Sequence, residues 1–137
     1  MISIFEFGYR YLIPSIKRRL VEKLIDIGLT QKEAARKLGL SVSAISRYLS
    51  MKRGATIDLA SYSDLDEAIS KLAIDIRDNR IDFHDIHLWI YRIAFYALSR
   101  RYMCRWHAKI DLNVNPDLCF ICPKLTGSLT DSSLIAR

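Results

Sequence analysis

Residues 31–50 read QKEAARKLGLSVSAISRYLS, and this stretch decides the fold. Thr30-Gln31-Lys32-Glu33 has the form of a capping box opening a helix. That helix is short, because Gly39 interrupts it and Ser41 is placed to cap another running to about Leu49. Two helices crossing steeply need a small residue where their backbones meet, and Ala35 supplies it. The tight turn between them needs a residue that accepts positive φ, which Gly39 provides. Leu38, Leu40 and Ile45 are spaced to fill the core between these helices and the one before them.

Working outward, Pro14 suits the first turn of a preceding helix. Ile13, Ile16, Leu20, Leu24 and Ile27 give that helix one apolar stripe, and Gly28 is placed to end it in a left-handed conformation. Residues 1–12, with Phe5, Phe7, Tyr9 and Tyr11, read as a short strand or an extended arm. On the far side Lys52-Arg53-Gly54 closes the unit, and Ala55–Tyr62 reads as a linker.

Residues 14–54, PSIKRRLVEKLIDIGLTQKEAARKLGLSVSAISRYLSMKRG, resemble the DNA-binding domain of the phage-repressor and Cro-like helix-turn-helix regulators. More narrowly they resemble a group of small archaeal transcriptional regulators that join such a domain to a cysteine-containing C-terminal region. The resemblance implies that a recognition helix, about residues 41–49, enters the major groove of double-stranded DNA. Ser41, Val42, Ser43, Ser46 and Arg47 are then its exposed positions, with Ser43, Ser46 and Arg47 reaching base edges. Gln31 matches a position that contacts phosphate in the family, and Lys52 and Arg53 are expected to bind phosphate as well.

Charge agrees with a polyanionic partner. The chain of 137 residues has a net charge of +6, but residues 1–56 carry a balance of +7 and residues 57–137 one of −1. A hydrophobic fraction of 50% indicates a folded chain. The densest apolar region, around Leu88–Leu98, is too short to span a bilayer and carries Arg92. The opening MISIFEFGYR lacks the pattern of a secretory leader, so a cytoplasmic location is expected.

All three cysteines lie within residues 104–122, in the pattern Cys104-x2-His107-x11-Cys119-x2-Cys122. An odd number does not suit a secreted disulfide framework, whereas two close ligand pairs separated by a loop suit a structural zinc ion. Two other readings stay open. One is an iron–sulfur cluster; the other is buried or locally disulfide-bonded thiols beside an incidental His107. Some of the archaeal proteins it resembles carry further cysteines ahead of this region. Residues 90–101 here, IYRIAFYALSRR, hold none, which leaves a single four-ligand zinc the simpler case. His84 and His87 read as the polar face of a helix start.

Beyond the linker, Ser63-Asp64-Leu65-Asp66 resembles another helix start, and a further helix is predicted from about Asp82 to Cys104. The latter is apolar on two faces: Ile86, Ile90, Ile93 and Ala97 on one, Leu88, Phe95 and Tyr102 on another. Such a helix must bury both, which suggests a homodimer. The predicted organisation is all-α. It comprises a helix-turn-helix DNA-binding domain (1–56), a helical region that dimerises (57–104), a metal-binding knuckle (105–125) and a flexible tail (126–137). Neither a phosphate-binding glycine loop nor a nucleophile elbow is present, so a regulator rather than an enzyme is expected. The alternative is a helical adaptor or antitoxin-like protein whose C-terminal region binds another protein.

Overall fold

Ser3 caps the first helix, its hydroxyl accepting from the Glu6 backbone N–H at 3.2 Å. Helix α1 (Ile4–Phe7) passes through one wide π-helical turn, Gly8–Leu12, into α2 (Ile13–Asp26). The segment expected to be a strand or extended arm is therefore helical. Phe7 and Leu12 are buried, and the Phe7 and Tyr11 rings pack at 5.7 Å. The signal was present in the spacing of Ile4, Phe7 and Tyr11, which share a helix face. The computed structural model describes residues 1–126 and Ile135, and the regular elements among these are all helical. Of the tail expected at 126–137, only Thr126 and Ile135 fall within that set; Thr126 is buried.

Helix α2 bears the predicted stripe, with Ile16, Leu20 and Leu24 fully buried. It ends at Gly28, whose φ is +108°. Helices α3 (Gln31–Leu38) and α4 (Val42–Leu49) follow, then a 3₁₀ turn at Leu59–Ser61 and α5 (Ser63–Arg77). The stretch 55–62, read as a linker, is part of the core: Ile57 and Leu59 are both fully buried. Helix α6 (Phe83–Ser99) is capped by Asp82, whose carboxylate accepts from the Asp85 N–H at 2.9 Å. It stops short of Cys104, because the backbone turns at Arg101 (φ +62°) before α7 (Cys104–Ile110). Helix α8 (Ile121–Leu125) completes the described elements.

One apolar cluster runs from Phe7 in α1 through α2–α6 to Cys122 in α8. The closest packing between elements is that of α2 against α5, with α6 resting on both. The helices read as a separate dimerisation region thus complete the hydrophobic floor beneath α2–α4.

Salt bridges repeat that join. Arg19 and Lys23 on α2 both reach Asp66 on α5, at 2.6 and 3.1 Å. Lys37 at the end of α3 donates to Ile76 O at 3.1 Å and to Asn79 Oδ1.

Tyr102, expected on the second apolar face of a long helix, folds back instead and donates its hydroxyl to Asp64 Oδ2 at 2.7 Å. Uncovered on α6, beside Phe83 at its start, is the row Leu88, Tyr91 and Phe95, between 39% and 49% exposed. No helix among the described residues is long and apolar enough to cross a membrane.

Candidate nucleic-acid interface

The local chemistry of 30–54 is that of two short helices held at a tight turn. Thr30 Oγ1 accepts from the Glu33 N–H and Ser41 Oγ from the Ala44 N–H, each at 3.1 Å. Each satisfies one of the N–H groups that a helix start leaves unpaired. Gly39 sits at φ +64°, ψ +32°, and Leu40 N donates back to Ala35 O at 2.9 Å, closing α3 in a left-handed cap. Ala34, Ala35, Leu38, Ala44, Ile45 and Tyr48 are buried between α2, α3 and α4. Leu40, expected in the core, is only half-buried.

With those residues turned inward, the outer face of α4 is small and polar. Ser41, Val42, Ser43, Ser46 and Arg47 are all exposed, as are Gln31 at the start of α3 and Lys52 and Arg53 after α4. The structure therefore displays every residue that the sequence nominated for DNA contact.

Several cations that produced the +7 balance are not available for a partner. Arg18 is buried, donating to Gly54 O at 2.7 Å and pairing with Glu22. Arg19 and Lys23 are held by Asp66, and Lys37 by the end of α5. Charge counting cannot separate these bracing cations from free ones, because their acceptors lie more than thirty-five residues away in sequence.

Lys32 and Arg36, which the sequence reading left out, are exposed on α3. Their signal was the i, i+4 spacing opposite the buried Ala34, Ala35 and Leu38. Lys17 on α2 was also missed as a site residue. Burial, and then the charge of the nearby Arg53, hold its ammonium below the usual lysine range. The Arg53 guanidinium lies over the Tyr48 ring at 5.6 Å, which orients it at the end of α4.

This region also matches a protein-family model, described as helix-turn-helix, over residues 20–61. Residues 20–61 are a helix-turn-helix domain. The match ends before α5, so the helices that brace the helix-turn-helix domain from below lie outside it. No curated protein and no solved structure matches the chain.

The cysteine region is organised differently from the expected four-ligand knuckle. Cys104, Cys119 and Cys122 are free thiols that line one cavity and lie close enough to sense one another's charge. Burial is the main cause that raises the Cys104 thiol, and with the neighbouring thiols it pushes Cys122 up to about 11.

His107 is engaged elsewhere. Its Nε2 donates to Ile2 O at 2.7 Å, and its ring packs on Phe7 at 5.4 Å. Among the described residues, no group of three or more His, Cys, Asp or Glu side chains is placed to hold a metal ion. Three thiols and an imidazole are suitable donors for zinc chemically, and here the imidazole Nε2 is bonded to Ile2 O.

Nor does this segment depend on a metal for every tie to the fold. The Ile2 N–H donates to Asp111 Oδ2 at 2.7 Å, Trp106 Nε1 donates to Tyr62 OH at 3.0 Å, and Arg101 donates to Pro116 O at 2.6 Å. The N-terminal segment, through Ile2 and Phe7, is what clasps residues 107–111, a link that sequence spacing could not supply. His84 and His87 lie at the start of α6, where His87 Nδ1 is 3.0 Å from Phe83 O.

Proposed function

We propose that this protein is a transcriptional regulator that binds double-stranded DNA sequence-specifically as a homodimer, with no catalytic activity of its own. The observation that carries this reading is the outer face of α4. It is exposed, small and polar apart from Val42, and ends in Arg47, on a helix whose other side is locked into the core. A helix with that face fits the major groove, where Ser43, Ser46 and Arg47 reach base edges.

Gln31, Ser41, Lys52 and Arg53 flank it and meet phosphates. Lys17 supports the same role for the end of α4. Two cations that repel each other, as Lys17 and Arg53 do, both gain when an anion sits between them. Dimerisation is supported by the exposed Leu88–Tyr91–Phe95 row on α6, which a second copy would cover. Two recognition helices would then face half-sites about 34–36 Å apart.

Selection from a random duplex library, followed by anisotropy titration of the enriched sequence, tests the reading. The expected result is an enriched two-fold-symmetric sequence bound far more tightly than scrambled duplex, by a complex of two chains. No enrichment, and no duplex affinity even at low salt, removes it. Partner loss from changes on α6, with duplex binding absent throughout, would instead make the protein an adaptor.

A further inference from the structure

Where the N-terminal residues meet α7 and α8, the fold forms a cavity of about 630 Å³, open on one side. Well-packed interiors leave few voids larger than a water molecule, whereas small-molecule sites run from roughly 300 to 1,000 Å³. Its lining includes Phe7, Leu98 and Met103, together with Cys104, Cys119 and Cys122. Thiols and thioethers are soft and weakly polar, so they add little hydrogen-bonding demand.

The polar groups at the wall already have partners inside the protein. His107 is bonded to Ile2 O, Asn113 to Asp111, and Asn115 Oδ1 to the Asp117 N–H. Large apolar side chains crowd the mouth instead of retreating from water. Phe5 and Leu118 are each 75% exposed, Leu125 65% and Ile121 51%. Exposed apolar side chains gathered around a concavity mark a binding site more specifically than scattered ones do. Among the described residues that line the cavity, the charged groups are the Lys124 side chain and the Met1 ammonium, both on exposed residues.

We propose that this cavity binds an uncharged, largely apolar small molecule, whose body lies against the cysteine wall and whose end emerges between Leu118 and Ile121. The ligand class follows from the lining. A charged body would lose its hydration without gaining a free partner inside, whereas apolar surface is removed from water on both sides. The inference does not depend on DNA binding. The exposed row on α6 is a convex helix face and suits a protein surface, so the two apolar features are distinct.

The test uses the full chain and the neutral probe N-phenyl-1-naphthylamine. Fluorescence titration should show one saturable site per chain, and bound probe should slow alkylation of Cys119 by iodoacetamide, read by mass spectrometry. Leu118→Lys and Ile121→Lys change exposed mouth residues and leave the core intact. Each should weaken binding by about tenfold or more, while Leu88→Lys on α6 should leave it within about twofold. Non-saturating fluorescence, equal loss in all three variants, or no protection of Cys119 would overturn the proposal. So would an absence of binding.

Discussion

Arg19 Nε lies 2.6 Å from Asp66 Oδ1, and Arg19 Nη2 lies 3.3 Å from Asp66 Oδ2, a two-pronged ion pair that ties α2 to α5. Lys23 adds a third contact to the same carboxylate. Burial raises the Asp66 carboxyl, but the hydrogen bonds from Arg19 and Lys23 outweigh it and hold the group below the usual carboxylate range. The helix-turn-helix domain is thereby anchored to a helix beyond its own boundary.

A carboxyl whose native pKa is depressed contributes stability that is fully present above its unfolded value, about 3.9, and is lost as pH falls through the native value. Asp64 behaves alike: burial raises it, and bonds from Tyr102 and Tyr96 more than compensate. Urea unfolding should therefore show stability level near neutrality and falling below about pH 4. Asp66→Asn should lower the neutral plateau and shorten that decline. An acid limb unchanged in both Asp66→Asn and Asp64→Asn would refute the assignment.

The bond to Asp64 also sets an alkaline limit. It is the main cause, with burial, that pushes Tyr102 up to about 12. A phenol raised above its unfolded value, about 10, contributes stability present below that value and lost as pH rises toward 12. Tyr102→Phe should remove this part of the alkaline loss, measured by the same unfolding series. Persistence of the full loss would assign it to other groups.

Two glycines with positive φ should respond unequally to alanine. At Gly39 (φ +64°) a Cβ would approach Phe83 Cε2 at 2.5 Å, but that ring is half-exposed and can swing away. Gly39→Ala should then cost about 1–2 kcal/mol, chiefly backbone strain. At Gly54 (φ +71°) the Cβ would meet the Pro14 carbonyl, with Arg18 Cβ at 2.9 Å. Backbone cannot move aside so easily, so overpacking of about 1–3 kcal/mol adds to the strain. Equal midpoint shifts in chemical denaturation would contradict this ranking.

The former linker offers a sharper measurement. Ile57 is fully buried, so Ile57→Ala should cost about 2–5 kcal/mol. A true linker residue would change stability by less than about 0.5 kcal/mol.

His107 separates a structural role from a ligand role. His107→Ala removes the bond to Ile2 O and the packing on Phe7, and should cost about 1–2 kcal/mol. The loss should be the same with added zinc or with EDTA. A loss seen only in metal-loaded protein, with zinc or iron found by elemental analysis, would assign the imidazole to a metal.

On DNA, Arg47→Ala should relax base preference at one position, costing about 1–3 kcal/mol against the preferred base. Lys52→Ala should weaken all duplexes alike and reduce the slope of log K against log salt by about 1. Exchange of these two behaviours would mean that α4 docks in another orientation.

What residues 28–54 determine by themselves is considerable. Two caps, a left-handed glycine and a stripe of small and branched apolar residues specify α3, the turn and α4, because each signal acts within one helical turn. The exposed face of α4 follows from the same periodicity. Elsewhere the deciding partners are distant in sequence. Arg18 and Arg19 count toward the +7 balance of residues 1–56 until Gly54 O and Asp66 claim them. Ile57 and Leu59 read as linker until the tertiary fold buries them, with the Leu59–Ser61 turn packed against α2 and α5. By spacing His107 reads as a partner of the cysteines, whereas the partners it meets here, Ile2 and Phe7, lie about a hundred residues away. Local hydrogen bonding and helix periodicity are written in adjacent residues. The destination of a charge or an imidazole is decided by whichever groups the packed core brings within three ångströms of it.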